Sequence, residues 1–533
     1  MATFSKAIID SSVKLITGYP GGPATDILEK TRQFNIKDTT VNWGVNEKQA
    51  VALAVGFSMV GKRAAVVMKH VGLNVASDAV IGAALNGTKG GLVFFIGDDP
   101  GALMSQNEQD SRAYQRLFNI PILEPNSTKM AYKVTQSAYD ISERFRVPVI
   151  VRFTNKMKNL KDNVSVSLKK SQVSFSNFSG SKRWLPVNPP QKHLQLYKKM
   201  ANVKNYVSDF EFNNTEFTSS TKHIGIITSG PVVNMLKNEL SNSSKQPSLL
   251  NLSTVYPLPT SLLQEFASGM DQLLIVEEGE PIIENAFNRI LSEKKTRIFG
   301  RLSGHLPYQG QLNKKDIKRA LKAFFEQKKD YKKNEKNIKP TAPWVDVKDC
   351  PIKKGHKIMK EVLEPIRDQS IVVGDTGCVG WGFSKNYNTT DAFLCMGTST
   401  SVAGGISLSQ PNLHSVAIMG DSSFLHSGIQ SLLNAIYNKT DVLFIIFDNG
   451  RTGETGGQSN PNSGINFMGE DTQDIELENL VKNCKPDYFM SINVFNKSKV
   501  KKTISKYLDT IGVQVLILQG ECPNDCPKIK RKT

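Results

Sequence analysis

The sequence predicts an α/β protein whose parallel sheets are flanked by helices. Short, almost wholly apolar runs such as Ala64-Ala65-Val66-Val67-Met68 and Leu92-Val93-Phe94-Phe95-Ile96 recur, separated by helix-like stretches. That alternation indicates parallel strands joined by helical crossovers. Two later runs, Val416-Ala417-Ile418-Met419 and Val442 to Phe447, end in Gly420-Asp421-Ser422 and Asp448-Asn449. Both therefore deliver polar side chains to one sheet edge. At 533 residues the chain is long enough for three or four domains of roughly 100–200 residues each.

Taken in order, residues 1–160 predict the first α/β domain. Its opening strand runs into Gly18-Tyr19-Pro20-Gly21, where glycines let backbone approach a ligand, and Thr25 or Asp26 stands near a helix start. Asn46 is placed to cap a helix whose first turn holds Glu47, an acid that suits the helix dipole. A further strand ends in Lys69-His70-Val71-Gly72-Leu73-Asn74, and Val147 to Phe153 closes the domain. Residues 161–220 read as a polar connector rich in Ser, Lys and Asn. A second α/β unit spans 221–325. Residues 326–360 read as a Lys-rich linker, 361–525 as the last α/β domain and 526–533 as a basic tail.

Composition excludes several classes. A hydrophobic fraction of 39% and a charged fraction of 22% are ordinary for a soluble globular protein. No apolar run approaches the ~20 residues of a membrane span. The amino terminus has no long apolar core, so no secretory signal is expected. Six scattered cysteines make no disulfide framework, which points to a reducing cytoplasm. The net charge of +18 raises nucleic-acid binding. No recognition motif accompanies it, and the lysines concentrate in connecting stretches, so neither a nucleic-acid nor a membrane partner is expected.

In an open α/β sheet, ligands bind beyond the carboxyl ends of the strands. Asp421 and Asn449 bring two hard oxygen donors there, beside glycine amides, which suits Mg²⁺ holding a diphosphate. A Gly-Asp turn, a helix, a strand and then Asn is the thiamine diphosphate signature, with Ser422 where Gly or Ala is usual. Thr455-Gly456-Gly457-Gln458 completes the polar turn.

Seven stretches in order carry a wider resemblance: Gly18-Tyr19-Pro20-Gly21, Asn46-Glu47-Lys48, Met68 to Asn74, Ser105 to Asp110, Gly374-Asp375-Thr376-Gly377-Cys378, Cys395-Met396-Gly397 and Gly420-Asp421-Ser422. Together they resemble the alpha subunits of the indolepyruvate:ferredoxin oxidoreductases, within the thiamine diphosphate-dependent 2-oxoacid:ferredoxin oxidoreductase family. The resemblance implies a thiamine diphosphate-binding fold. Its pyrimidine-binding domain comes first, a transketolase-C-terminal-like domain sits in the middle, and the diphosphate-binding domain comes last.

It also implies roles. Glu47 becomes the carboxylate that hydrogen-bonds the aminopyrimidine, which on residues alone would be an ordinary first-turn acid. His70 and Asn74 face the cofactor, as does Gly21. Gly374, Asp375, Gly377 and Cys378 form a turn for the diphosphate, together with Gly397, Gly420, Ser422, Thr455 and Gly456. Asp421, Asn449 and the carbonyl of Arg451 hold Mg²⁺. Met396 either props the cofactor or is a core methionine. Arg112 either meets a substrate carboxylate through its guanidinium fork or forms a surface ion pair.

Two departures shape the functional expectation. After the tyrosine the family usually has Pro-Gly-Thr-Pro-Ser, whereas here Pro20-Gly21-Gly22-Pro23-Ala24 lacks both hydroxyls. The family's alpha subunit usually continues into a ferredoxin-like domain, whereas here the sequence offers Cys522 and Cys526. A cluster needs four thiolates, so no iron–sulfur cluster is expected on this chain alone. The expected function is oxidative decarboxylation of a 2-oxoacid, an aryl pyruvate such as indolepyruvate, to an acyl-CoA. The partners expected are coenzyme A, a smaller beta-type subunit, and ferredoxin or a cluster-bearing subunit, in a homodimer or heterotetramer. The alternatives are a non-oxidative decarboxylase or carboligase, and a catalytically silent scaffold or basic nucleic-acid-binding protein.

Overall fold

The computed structural model describes residues 1–34, 36–160, 188–216, 223–291, 296–327 and 347–523. Most of the predicted connector, much of the predicted linker and the 526–533 tail lie outside the described residues. The chain divides into two compact units, Met1–Thr341 and Ala342–Thr533.

The first unit holds two sheets. The larger is built from β1 (Leu15–Gly18), β2 (Thr40–Val41), β3 (Ala64–Lys69), β4 (Leu92–Asp98), β5 (Ile122–Leu123) and β6 (Val149–Thr154). The smaller holds β7 (Asn214–Glu216), β8 (Ile224–Ser229) and β9 (Ser248–Leu252). The next strand, β10 (Thr254–Tyr256), leaves it to pair antiparallel with β5, and β11 (Gln272–Val276) and β12 (Arg297–Phe299) return to it. The strand orders are β10-β5-β6-β4-β3-β1-β2 and β12-β11-β8-β9-β7. Apart from β10 and β7, every pairing in both sheets is parallel. Every residue of β4 is buried, because helices cover both faces of such a sheet.

The predicted divisions differ here in instructive ways. The stretch assigned to a connector contains a long helix, Pro189–Ser208, and strand β7. Asn188 caps that helix by accepting from Gln191 N, Pro189 and Pro190 suit its first turn, and Leu196, Met200, Val203 and Val207 form its buried stripe.

The second unit holds one all-parallel sheet: β13 (Ser370–Val373), β14 (His414–Gly420), β15 (Val442–Asp448), β16 (Tyr488–Asn493) and β17 (Val513–Gln519), in the order β13-β14-β15-β17-β16. Alternate residues feed opposite cores. Ile445, Leu516 and Leu518 enter one apolar cluster, and Phe444, Ile446, Val515 and Ile517 the other. One covering helix, Pro351–Leu363, begins within the stretch predicted as a Lys-rich linker. Its lysines are one face only. Ile352, Ile358 and Met359 are buried, and Gly355 lies so close to β15 that an added Cβ would meet the Phe447 ring at 2.2 Å. In this unit β13, β14 and β15 end together, leaving Gly374, Asp421 and Asn449 at the same edge.

Candidate cofactor site

At the edge of the second unit, Gly420 ends β14 in an extended conformation and a helix starts at Asp421. Asp421 is 2% exposed. Its Oδ1 accepts from Ser422 N at 2.9 Å, and its Oδ2 from Asn460 Nδ2 at 3.1 Å. Asn460 also donates to Ser422 Oγ at 3.0 Å, while its own Oδ1 accepts from Asn462 N at 3.0 Å. Asn460 therefore orients Asp421 with its amide fixed. Ser422 Oγ lies 3.0 Å from Thr452 Oγ1. On the neighbouring strand, Asn449 Oδ1 accepts from Arg451 N at 3.1 Å, which turns the backbone just past the strand end. Asp448 serves the loop: its Oδ1 accepts from Gly450 N and from Asn462 Nδ2.

Asp375, which follows β13, is fully engaged by backbone. It accepts from Thr376 N, from Gly397 N at 3.0 Å and from Thr398 N at 3.2 Å. It thereby fastens the turn at Met396-Gly397, so the carboxylate positions the site from beneath. Ser427 Oγ donates to the Met396 carbonyl at 3.0 Å, and Ser431 Oγ to that of Gly397 at 2.5 Å. Gly397 has φ of +81°, and a Cβ there would meet Ser427 Oγ at 2.0 Å. Only glycine fits. The helix wall facing this turn is wound as a π-turn over Phe424–Gly428, a local irregularity common at functional sites. Thr455 Oγ1 bonds Gln458 Oε1, and Gly456, at φ +118°, lets that loop close on itself.

Burial pushes the Asp375 carboxyl up to about 6 from 3.8, against the amides that bond it. A carboxyl raised on folding keeps its proton longer in the native state. Its contribution is therefore fullest below pH 3.8 and is lost as pH rises through about 6. The loss is roughly 3 kcal/mol. Urea unfolding of the cofactor-free chain is expected to show that fall, and Asp375→Asn to flatten it. Equal slopes in both proteins would refute the assignment.

The donor set suits Mg²⁺ and a diphosphate. It offers one carboxylate and neutral oxygens, with room for phosphate oxygens in the remaining positions. Among the described residues no group of three or more His, Cys, Asp or Glu is arranged as a self-sufficient metal cage. Thr376 Oγ1 and Ser399 Oγ are buried there with no hydrogen-bond partner, the condition that phosphate oxygens would relieve. A Cβ on Gly420 would meet nothing within 4 Å, so space lies open at the strand end.

The cysteines bring a surprise. Cys350, Cys378 and Cys522, distant in sequence, come within electrostatic range of one another. Burial, more than the neighbours, pushes the Cys350 and Cys378 thiols up, which favours the protonated form. Cys526 lies outside the described residues.

In the first unit the remaining candidates gather at the carboxyl edge of the larger sheet. Asn46 caps the helix Glu47–Met59 by accepting from Gln49 N at 2.9 Å. Glu47 is 5% exposed, and its carboxyl packs on Gly72, where a Cβ would meet Oε1 at 2.5 Å. Gly21 N donates to Thr25 Oγ1 at 2.7 Å, and Gly21 rests on the Lys69 stem. His70 is fully buried. Its Nε2 lies 3.4 Å from the Asn107 carbonyl, and its Nδ1 has no partner. Asn74 and Gln109 exchange amide hydrogen bonds of 3.2 and 3.1 Å, and Tyr114 donates to Asn74 as well. Gln109 lies in the Ser105 to Asp110 stretch that carries the resemblance but was not singled out as a site residue, and nothing in its spacing marks Tyr114.

Arg112 requires a correction. It is neither free for a substrate nor a surface ion pair, being 1% exposed. It donates to Asp110, to Glu277 at 2.8 Å, and to the carbonyls of Glu278 and Glu280. Burial opposes its charge, yet Asp110 and Glu277 hold it above its ordinary value. Asp110 is held well below the carboxylate range by Arg112 and Arg152 despite burial. Arg112 thus joins the two sheets of the first unit. Arg112→Ala would strand two buried carboxylates and is expected to cost about 3–5 kcal/mol of stability. A denaturation midpoint unchanged in the variant would return Arg112 to a ligand-facing role.

Two family models match the chain: "Pyruvate flavodoxin/ferredoxin oxidoreductase, thiamine diP-bdg" over residues 6–206 and "Thiamine pyrophosphate enzyme, C-terminal TPP binding domain" over 375–518. The chain is 29% identical to indolepyruvate oxidoreductase subunit IorA of Archaeoglobus fulgidus, over 97% of this chain and 85% of that protein. Over nearly its whole length the chain is similar to subunits of thiamine diphosphate-dependent 2-oxoacid oxidoreductases. The same subunit of Methanothermobacter thermautotrophicus is also 29% identical, over the same shares, and that of Thermococcus kodakarensis is 28% identical over 97% and 84%. The two family models fall on the two edges described above, one on the larger sheet of the first unit and one on the sheet of the second. No helix among the described residues is long and apolar enough to cross a membrane.

Proposed function

We propose that this enzyme subunit takes part in oxidative decarboxylation of a 2-oxoacid, an aryl pyruvate such as indolepyruvate. The acyl group goes to coenzyme A and the electrons go to ferredoxin through a cluster-bearing partner. In balance, the 2-oxoacid anion and the thiol give acyl-CoA, CO₂, one proton and two electrons. The observation that carries this reading is the placement of Asp421 and Asn449 at adjacent strand ends, beside the unpartnered hydroxyls of Thr376 and Ser399. The names of the relatives favour an indolyl side chain.

Thiamine diphosphate, when bound, would supply the carbon acid and electron sink that decarboxylation of a 2-oxoacid needs. The chain's residues hold and orient it. Asp421, Asn449 and the Arg451 carbonyl are the Mg²⁺ ligands in this proposal, and Asn460 keeps the Asp421 carboxylate turned toward the ion. Thr376 and Ser399 donate to phosphate oxygens. Glu47, in a water-poor setting at a helix start, accepts and holds a proton from the aminopyrimidine. His70 offers its unpartnered Nδ1 to a reacting oxygen. The further cofactor-binding residues in this proposal are Gly21 and Asn74 on the first unit, and Gly374, Gly377, Cys378, Met396, Gly397, Gly420, Ser422, Thr455 and Gly456 on the second.

A smaller beta-type subunit and ferredoxin or another cluster carrier complete the assembly, as a homodimer or heterotetramer. The described cysteines are all free, which supports a reducing cytoplasm. A non-oxidative decarboxylase or carboligase is the second reading. Product analysis of the loaded chain with coenzyme A and a low-potential acceptor decides between the two. Acyl-CoA appearing only with a cluster-bearing partner supports the proposal, whereas aldehyde alone, with or without that partner, supports the second reading. The chain prepared anaerobically is expected to lack iron and sulfide. Stoichiometric iron would make it a self-contained electron carrier.

A further inference from the structure

The first unit carries a cleft of about 640 Å³ that none of the groups above uses. Its walls come from the short helix Gln115–Phe118, the long helix Pro189–Ser208, the segment after β10 and the helix Ile282–Ile290. Three of these helices each contribute a cation, Arg116, Lys204 and Arg289, and none of the sixteen lining residues is acidic. The cleft wall therefore carries three positive charges and no negative one. Two tyrosines stand in the same cleft. Tyr256 donates its hydroxyl to Asn119, and the Tyr197 phenol lies within electrostatic range of it. Tyr197 is 58% exposed, with the His193 ring tilted against it at 5.0 Å between centroids. The remaining floor is apolar or small, including Met200, Leu258 and Ala286.

We propose that this cleft binds a purine nucleotide, with its base against the tyrosine rings and its phosphates on Arg116, Lys204 and Arg289. The volume falls within the range of roughly 300–1,000 Å³ that holds cofactor-sized molecules. Aromatic faces accept a base by stacking, and guanidinium and ammonium groups pair with phosphate oxygens. Side-chain amides on the wall, Asn119 and Asn285 among them, can meet the edge of the base. The same chemistry serves a free nucleotide or the adenosine bisphosphate end of coenzyme A. The inference does not depend on the decarboxylase reading, because binding is measured without turnover.

The test is calorimetry on the full chain, with thiamine diphosphate and Mg²⁺ present to occupy any site for that cofactor. The titrants are adenosine 3′,5′-bisphosphate, coenzyme A, ADP and inorganic phosphate. Saturable binding with one nucleotide per chain is expected, weakened about tenfold by each of Arg116→Ala, Lys204→Ala and Tyr197→Ala. These side chains are exposed, and unchanged thermal midpoints establish that the variants fold. Tighter binding of coenzyme A than of ADP identifies the coenzyme as the source, and the reverse identifies a free nucleotide. Either result supports the site. Three results would overturn it: no saturable binding of any nucleotide, nucleotide affinity unmoved by all three variants, or inorganic phosphate binding as tightly as the nucleotides.

Discussion

Asp421→Ala is expected to weaken Mg²⁺-dependent binding of thiamine diphosphate at least about a hundredfold, or ~2.7 kcal/mol. The carboxylate is the one charged side chain proposed as a ligand. Asp448, beside Asn449, has its Oδ1 committed to Gly450 N and Asn462 Nδ2. Asn460→Ala should cost less, about tenfold, because it removes only the amide that orients Asp421. Titration of cofactor at fixed Mg²⁺, followed by calorimetry, measures both. Wild-type affinity in the Asp421 variant would place the ion elsewhere. A larger loss in the Asn460 variant than in the Asp421 variant would make the amide the ligand.

Glu47→Gln should leave folding and cofactor affinity intact and slow hydrogen exchange at the cofactor's C2 position by about 10²–10⁴-fold. Glutamine keeps the shape that packs on Gly72, so the tight contact there survives. It cannot accept and hold a proton as a carboxylate does. Exchange followed by NMR after rapid quench reports this step without substrate or a redox partner. Undiminished exchange would remove Glu47 from the chemistry and leave it as a helix-start acid.

Strand ends were legible in the sequence because they combine two signals, an apolar run and a polar residue just after it. Asp375, Asp421, Asn449 and His70 each lie two residues past the last apolar residue of such a run, at a carboxyl edge of its sheet. Asn460 was not legible. It lies in an irregular stretch after β15, and only tertiary closure brings its amide to Asp421. Ser427 and Ser431 were hidden for a related reason, since a serine in an apolar helix carries no sign of whose carbonyl it will reach. Arg112 was misread because its neighbours Gln109, Asp110 and Ser111 look like a solvated loop. Its real partner, Glu277, comes from the other sheet of the same unit. The helix Pro351–Leu363 was lost among lysines, because its buried stripe of Ile352, Ile358 and Met359 is short against the charges between. The convergence of Cys350, Cys378 and Cys522 likewise depends on where β13, β17 and that helix meet.

In the function proposed above, this chain's residues support decarboxylation of a 2-oxoacid on thiamine diphosphate. Release of labelled CO₂ from a 1-¹⁴C aryl pyruvate by the loaded chain, alone and with its partner subunit, tests it most directly. Release is expected to require both Mg²⁺ and thiamine diphosphate, to rise when partner and acceptor are added, and to vanish in Asp421→Ala. No release from any 2-oxoacid by a chain with the cofactor bound and its partner present would contradict the account.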